Sequence, residues 1–314
     1  MSPAPPSSSP DASLRPPVFI CGTGRSGTTI LTRALAFHPQ IFALRWESQL
    51  FSGLPGLVDL VSSEGEVASR TLAQFRQRLM GHLFRRGTPD RQAGLFELVD
   101  ERRLLALADA FSEALGRAAD RAARAQACRQ LAEAIFAGPT VQQGAVRWCE
   151  KTPRNLICAD RIAEILPGAQ FLHIVRDGRD VSASILARKF WPIAKSKEYP
   201  QTAGFAGPPT FDSVLAYWTT FMDIGQAQEA VFSPEQWLTV RFEDLVSAPQ
   251  AVLARIFRFL GCSEDAAALQ RAAAIFKDGS AHRERWREDF SPEQLCRLEA
   301  VARENLVRYG YPLS

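Results

Sequence analysis

A glycine-rich segment at residues 22–29, Gly-Thr-Gly-Arg-Ser-Gly-Thr-Thr, constrains the fold of this chain more than any other feature. It follows the apolar run from Val18 to Cys21 and leads into a helical pattern over about Gly27 to Phe37, which ends before Pro39. A glycine-rich turn between a strand and a helix is typical of a loop that binds an anion with backbone N–H groups and the positive end of the helix. An ordinary strand-to-helix turn is the alternative interpretation.

The loop has the spacing G-x-x-x-x-G-x-T, and Thr28 stands where nucleoside triphosphatases carry the lysine that reaches the β- and γ-phosphates. The absence of that lysine argues against hydrolysis of ATP or GTP. A terminal group that carries less charge than a γ-phosphate and needs no magnesium suits this P-loop better, and a sulfonyl group fits that description. Arg25 adds a permanently charged, fork-shaped donor beside the anion. The candidate anion-binding residues of the loop are Gly24, Arg25, Ser26, Gly27, Thr28 and Thr29.

Five short apolar or β-branched runs alternate with helical patterns along the chain. This alternation predicts an α/β fold in three layers, similar to that of P-loop NTPases, with a central parallel sheet flanked by helices. The length of 314 residues, with 46% hydrophobic residues, suits one large domain. We expect this domain over residues 17–314, with a helical insertion at about 52–143. The strand-like runs are 18–21, 41–44, 145–149, 171–175 and 237–242.

Composition and net charge argue against some classes of binding partner. The net charge of +3 and the lack of a dense basic stretch argue against nucleic acid as the principal partner. Residues 1–16 are rich in proline and serine and predict a disordered leader rather than a signal peptide, and we expect no transmembrane segment. The six cysteines have no paired C-x-x-C spacing. Since the sequence has no export signal, we expect them to be reduced thiols. These features predict a cytoplasmic protein, and they leave its oligomeric state open.

The segment from Phe171 to Ser184 holds a second candidate anion site. It has the pattern of a strand, a tight turn and a helix, with Arg176 at the carboxyl end of the strand and Ser184 in the following helix. An arginine and a hydroxyl brought together there predict a second anion site, well away from the first loop. Two such sites suggest a nucleotide with phosphates at both ends of its ribose. In the alternative interpretation, the charged residues of this turn form a structural salt-bridge cluster of Arg176, Asp177, Arg179 and Asp180.

Four motifs together resemble the sulfotransferase family, in particular its bacterial members and, more distantly, tyrosylprotein sulfotransferases. They are the loop at 22–29, Glu-Lys-Thr-Pro at 150–153, Val-Arg-Asp-Gly-Arg-Asp at 175–180 with Ser184, and Arg-Phe-Glu-Asp-Leu at 241–245 followed by Pro249. The matching anchors run from about 18 to 260, and the segment from Arg283 to Pro312 also resembles bacterial members. Nothing between about 52 and 143 matches.

The resemblance implies a donor and the residues that bind it. The donor would be 3′-phosphoadenosine 5′-phosphosulfate (PAPS), with its 5′-phosphosulfate at residues 24–29 and its 3′-phosphate at Arg176 and Ser184. The reaction would be in-line transfer of the sulfonyl group to a hydroxyl acceptor, with no metal required. A flap over the adenosine 3′-phosphate would include some of Lys277, Ser280, Arg283 and Arg285.

The resemblance also implies the catalytic residues. Glu47 resembles the glutamate that acts as general base in glycan and tyrosylprotein branches of the family. Lys151 resembles a lysine that neutralises the bridging oxygen as the S–O bond breaks, and Arg25 would assist it. The alternatives are a surface glutamate at a strand end and an exposed lysine. The cytosolic branch uses histidine instead, and none of the four histidines lies in a matching motif.

Two other functions share parts of this pattern. A small-molecule P-loop kinase has a similar sheet and loop, but it needs an acidic metal ligand and a phosphate-reaching lysine, and the sequence offers no good pair. A catalytically silent nucleotide sensor would use both anion sites without needing Glu47 and Lys151. The acceptor remains open among a glycan, a metabolite, a lipid and a peptide tyrosine, with a bacterial glycan or metabolite favoured by family analogy alone.

Overall fold

A five-stranded parallel sheet forms the centre of the computed structural model, which describes residues 14–88, 91–189, 208–276, 284 and 286–313. The strand order is β2-β5-β1-β6-β7, and a separate antiparallel hairpin consists of β3 and β4. The strands are β1 (Val18–Gly22), β2 (Ile41–Ala43), β3 (Arg86–Thr88), β4 (Arg91–Ala93), β5 (Arg147–Lys151), β6 (Gln170–Val175) and β7 (Trp237–Arg241).

All five predicted runs are strands of the central sheet, although β5 lies two residues later than predicted. Lys151 is therefore the last residue of β5 instead of the second residue after it. The prolines and glycines of residues 191–209 predict a long irregular loop, which lies outside the described residues apart from positions 208 and 209. The four predicted flap residues also lie outside the described residues.

Helices surround the sheet, and three short π- or 3₁₀-helical turns lie at Leu79–Leu83, Leu95–Glu97 and Pro153–Cys158. Among the described residues, no helix is both long enough and apolar enough to cross a membrane. The helices are α1 (Thr28–Leu35), α2 (Leu57–Ser62), α3 (Gly65–Arg78), α4 (Glu101–Arg117), α5 (Arg121–Gln142), α6 (Ala159–Ile165), α7 (Gly178–Arg188), α8 (Phe211–Glu229), α9 (Phe242–Ser247), α10 (Pro249–Phe259), α11 (Ala266–Ala274), α12 (Trp286–Asp289) and α13 (Pro292–Arg308).

Both faces of the sheet are buried. On one face, the Phe19 ring lies 5.5 Å from the rings of both Trp148 and Phe171, in a large aromatic core under α5 and α8. On the other face, Val18 and Ile20 belong to a second core beneath α1, α10 and α11. A parallel strand whose side chains are buried on both faces is a continuous apolar run, as β1 is. The predicted three-layer α/β fold is confirmed.

The two longest helices of the insertion, α4 and α5, begin at polar caps. The carboxylates of Asp100 and Asp120 accept hydrogen bonds from the backbone N–H groups at the starts of α4 and α5. Over residues 100–136 the sequence predicts one or two amphipathic helices, and the structure has two there, α4 and α5. The hairpin of β3 and β4 and the short turns beside it were not predicted, because they are too brief to have a clear period.

Parallel strands bring the loops that follow β1, β2, β5 and β6 to one edge of the sheet. In the register of the sheet, Ile20 pairs with Lys151 and Gly22 pairs with Ile174. The chain leaves β1 for one side of the sheet and later returns to β6 on the other side. Ligands of open α/β sheets bind at this kind of switch point, at the carboxyl ends of the strands.

Candidate functional site

Two glycines give the loop after β1 its shape. Gly22 has φ 153° and Gly27 has φ 100°, conformations that L side chains rarely adopt. A Cβ atom on Gly22 would lie 2.4 Å from the carbonyl oxygen of Ile174, and one on Gly27 would lie 2.4 Å from the ring of Phe242. The loop can therefore pack closely against β6 and α9 only with glycine at both positions.

Hydrogen bonds inside the protein hold the rest of the loop. The Ser26 hydroxyl donates to the carbonyl oxygen of Thr23 at 2.7 Å, and the Gly24 N–H donates to the Tyr217 hydroxyl at 2.8 Å. Tyr217 lies on α8 and is buried, and this burial raises the pKa of its hydroxyl far above the ordinary value. The phenol is therefore neutral and accepts this backbone hydrogen bond. No feature of the local sequence pointed to Tyr217, which lies 193 residues from Gly24.

Arg25 and the β6–α7 turn line one cavity of about 240 Å³. Arg25 Nε donates to the Ser184 hydroxyl at 3.0 Å, and Arg176 Nη1 donates to the backbone carbonyl of Arg25 at 3.3 Å. The two predicted anion sites are thus contiguous at Arg25, and not well apart as predicted, because this side chain extends from the loop to α7. Arg188 also lines the cavity. Burial and the positive charges of Arg188 and Arg176 lower the pKa of Arg25.

The charged turn after β6 divides into two parts with different surroundings. Arg179 forms ion pairs with Asp177 at 2.7 Å and with Glu299 at 2.6 Å, so this arginine joins α7 to α13. Arg176 instead borders the cavity, with its guanidinium 4.7 Å from the centre of the Phe242 ring and 3.4 Å from Asp180. Both arginines therefore form ion pairs within the turn, as the structural alternative predicts, and Arg176 in addition borders the cavity.

Asp180 offsets part of the positive charge of the cavity. Its carboxylate accepts a hydrogen bond from the backbone N–H of Glu284 at 3.1 Å. Burial raises the pKa of Asp180, while the nearby Arg176 charge opposes this shift. With Asp289 also on the wall, three guanidinium groups face two carboxylates, and the lining has an excess of positive charge. Such a donor set suits an anionic ligand.

Glu47 and Lys151 form an ion pair at the carboxyl ends of β2 and β5. Lys151 Nζ lies 3.0 Å from Glu47 Oε1. The Lys151 side chain is 5% exposed and that of Glu47 is 32% exposed. A buried ammonium group needs a counter-charge, and Glu47 provides it. The structure brings together two residues that were predicted separately, and their catalytic roles remain predictions.

Arg86 is a basic residue beside this pair that sequence reasoning missed. Its guanidinium donates to the backbone carbonyl of Glu47 and lies 5.7 Å from the centre of the Trp46 ring. Burial lowers the pKa of Arg86, while the charges of Glu47 and Glu150 oppose that shift. Arg86 begins the β3–β4 hairpin inside the insertion, where no motif gave a signal.

A sequence signal did exist for Arg188 and for Phe242. Arg188 lies four residues after Ser184 on α7, so both face the same side of the helix. Phe242 belongs to the Arg-Phe-Glu-Asp run, for which the sequence indicated only a supporting role. Within the described residues, no group of three or more His, Cys, Asp or Glu side chains could hold a metal ion.

Comparison with known proteins gives the family. A model of the sulfotransferase family matches residues 16–266, which is most of the chain. Protein-tyrosine sulfotransferase A of Caenorhabditis elegans is 30% identical over 134 residues, which cover 43% of this chain and 32% of that protein. The omega-hydroxy-beta-dihydromenaquinone-9 sulfotransferase Stf3 of Mycobacterium tuberculosis is 26% identical over 166 residues, which cover 51% of this chain and 40% of that protein. The matches thus span two-fifths or less of these curated relatives.

A solved structure has a similar fold. The sulfotransferase domain from the curacin biosynthetic pathway superimposes with a TM-score of 0.57 at 17% identity, over 96% of this chain and 100% of that domain. At this identity the likeness concerns the fold alone.

Proposed function

The chain belongs to the sulfotransferase family, and from this premise we propose that it transfers a sulfonyl group from PAPS to a hydroxyl acceptor. One observation carries the proposal. Arg25 from the loop and Ser184 from α7, 159 residues apart in sequence, meet at 3.0 Å on the wall of one cavity. A ligand with charged groups at both ends of a ribose would contact both elements.

The residues around the cavity fit such a donor. Arg176, Arg188 and the Ser184 hydroxyl offer charge-assisted and neutral hydrogen bonds to a 3′-phosphate. Residues 24–29, at the start of α1, would hold the 5′-phosphosulfate, with the helix N-terminus favouring negative charge. Arg25 lies between the two groups and would contribute to both. When bound, the donor supplies the sulfonyl group and a phosphate as the leaving group.

Glu47 would accept a proton, and Lys151 would stabilise the negative charge that develops during the reaction. Glu47 Oε1 would accept the proton of the acceptor hydroxyl as its oxygen attacks sulfur. Lys151 Nζ would donate a hydrogen bond to the oxygen that gains charge as the S–O bond breaks. Their 3.0 Å contact orients the carboxylate and the ammonium group before substrate arrives. By analogy with phosphoryl transfer, the protein contributes mainly position and charge.

The acceptor is proposed only as a class. The two curated relatives are named for a protein tyrosine and for a hydroxylated menaquinone, which share a hydroxyl group and little else. Arg86, which belongs to the insertion at about 52–143, contacts the backbone of Glu47. The insertion would therefore form the acceptor side of the site. We therefore propose a hydroxyl compound among glycans, metabolites, lipids and peptide tyrosines.

A thermal-shift comparison tests the donor. Adenosine 3′,5′-bisphosphate without metal should raise the melting temperature of the full chain, and ATP with magnesium should raise it less. Adenosine 5′-phosphate is the matched control, because it lacks the 3′-phosphate. The opposite ranking would favour a P-loop kinase. Incubation with labelled donor and a panel of hydroxyl compounds then separates an enzyme, which labels an acceptor, from a silent sensor.

A further inference from the structure

Glu150 is a completely buried carboxylate beside the Glu47–Lys151 pair that the proposed chemistry does not use. Its Oε1 accepts hydrogen bonds from the Ser48 N–H at 3.0 Å, the Ser48 hydroxyl at 2.8 Å and the Thr152 hydroxyl at 2.6 Å. Its Oε2 accepts one from the Asn155 amide at 2.5 Å. Four donors therefore converge on one side chain inside the core.

Three of the groups that donate to Glu150 also accept hydrogen bonds from the segment 48–52. The Thr152 hydroxyl accepts from the backbone N–H of Gln49 at 3.2 Å. The Ser48 hydroxyl accepts from the N–H of Leu50 at 3.2 Å. The Asn155 carbonyl accepts from the Ser52 hydroxyl at 2.6 Å. Five donors of this short segment thus end, directly or through one hydroxyl or amide, on the Glu150 carboxylate.

This network begins where the sheet ends. The backbone pairing of β2 with β5 stops at Ala43 and Cys149, and the Leu44 N–H still donates to the Cys149 carbonyl at 3.0 Å. Beyond that point, the side chain of Glu150 replaces the backbone ladder as the link between the two strands. The link attaches the chain immediately after Glu47 to the strand that carries Lys151.

Burying the Glu150 carboxylate opposes folding, because it removes a charged group from water. Burial raises the pKa of Glu150, while hydrogen bonds from Thr152 and Ser48 oppose that shift. An apolar residue of similar size would avoid this desolvation cost, but it could not hold four donors. The arrangement therefore specifies a geometry at the expense of stability.

We propose that Glu150 is a positioning residue that holds Glu47 within reach of Lys151 and of the acceptor hydroxyl. This inference rests on the proposed function. Lys151 is already held by the backbone of β5, so Glu150 acts through Glu47. A displacement of a catalytic group by about 1 Å costs on the order of a hundredfold in rate.

Glu150→Gln is the first test. Glutamine keeps the size but turns an amide NH₂ towards the Asn155 NH₂, so the Asn155 amide must rotate, and the Ser52 hydroxyl then loses its acceptor. We expect kcat to fall roughly tenfold to a hundredfold with an acceptor that the wild type sulfonates, and the Kd for adenosine 3′,5′-bisphosphate to change less than about twofold. A folded variant with unchanged kcat, or with kcat and nucleotide affinity lost together, would overturn the proposal.

A double-mutant cycle with Glu47→Gln separates positioning from general damage. If Glu150 acts through Glu47, adding Glu150→Gln to Glu47→Gln should lower kcat no further. Losses that multiply would show that Glu150 acts independently of Glu47. Glu299→Gln is the matched control, because it removes another buried carboxylate, on α13, and it should reduce stability without that pattern in kcat.

Thr152→Val keeps the test open if Glu150→Gln does not fold. It removes one donor to Glu150 and the acceptor for the Gln49 N–H with little change of shape, and we expect a threefold to tenfold loss of kcat with nucleotide affinity retained. An unchanged kcat in this folded variant counts against the proposal.

A measurement that needs no sulfonyl acceptor separates this inference from the proposed function. The Lys151 ammonium signal in ¹⁵N NMR, assigned by its loss in Lys151→Arg, should shift in Glu150→Gln and Thr152→Val as the Glu47 contact loosens. This result holds even if the wild type labels no compound, in which case only the proposed function fails. An unshifted signal in the folded variants overturns the positioning role.

Discussion

The anion cavity and the Glu47–Lys151 pair lie on the same edge of the sheet but are held in different ways. The cavity gathers charged side chains from two motifs that are each continuous in sequence, and Arg25 bridges them. The pair depends on two residues that lie 104 positions apart in sequence and on hydroxyl and amide groups that converge on the buried Glu150. The charged lining of the cavity therefore suits an anion, whereas the pair is held by contacts from distant parts of the chain.

The largest expected effect comes from the pair. Glu47→Gln keeps the shape of the side chain and removes the proposed base, so we expect kcat to fall about a hundredfold or more while the Kd for adenosine 3′,5′-bisphosphate stays nearly constant. Steady-state kinetics and isothermal calorimetry measure the two quantities.

Glu64→Gln is the matched control for this change, because Glu64 is an exposed glutamate that pairs only loosely with Arg124, at 3.3 Å. An equal loss of nucleotide affinity in Glu47→Gln would mean that the two regions are one site, and an unchanged kcat would remove Glu47 from the role of base.

A smaller effect is expected in the cavity, and it concerns nucleotide affinity instead of kcat. Arg176→Ala should weaken adenosine 3′,5′-bisphosphate roughly tenfold to a hundredfold, because a charge-assisted hydrogen bond in a partly buried site is lost. Adenosine 5′-phosphate should weaken much less. Calorimetry with both nucleotides measures this difference, and equal weakening would locate the 3′-phosphate elsewhere.

Arg188→Ala sharpens the same comparison. Arg188 is exposed at the end of α7, so salt screens its charge more than that of the half-buried Arg176. We expect a loss of affinity of about threefold that disappears at high salt, measured by titration at two ionic strengths. A loss as large as that of Arg176→Ala would mean that ligand binding buries Arg188.

The last effect is on stability instead of activity, and it concerns the sheet that supports both regions. His173 on β6 is buried, and neither ring nitrogen has a hydrogen-bond partner among the described residues. Burial lowers the pKa of His173 from 6.5 to about 3. Between these values the unfolded chain binds the proton more readily, so the free energy of unfolding should fall as pH falls through this window, by at most about 1.4 kcal/mol per pH unit.

Urea denaturation between pH 4 and 7 measures this contribution. His173→Leu should reduce the pH dependence, because leucine cannot take up a proton in the unfolded chain. Parallel stability curves for the variant and the wild type would contradict the prediction. A loss of kcat in His173→Leu beyond the change in folded fraction would mean that the sheet transmits strain to the Glu47–Lys151 pair.

Much of the fold could be predicted because its signals are local. The apolar runs of β1 and β6 identify buried parallel strands, and the glycines at 22 and 27 identify a tight turn. The candidate anion residues Arg25, Arg176 and Ser184 lie in these same local motifs. The insertion at about 52–143 could not be read beyond its helices, since its short hairpin and turns have no period and no motif.

The sequence by itself determined which strands lie in the sheet and which loop can approach an anion, because hydrophobic period and glycine conformation act over a few residues. Only the tertiary structure decided that Glu47 pairs with Lys151, that Tyr217 takes the Gly24 amide and that Ser48 and Asn155 meet on Glu150. The reason is physical. A buried polar group must find a partner wherever the packed chain offers one, and that partner can lie 100 or more residues away.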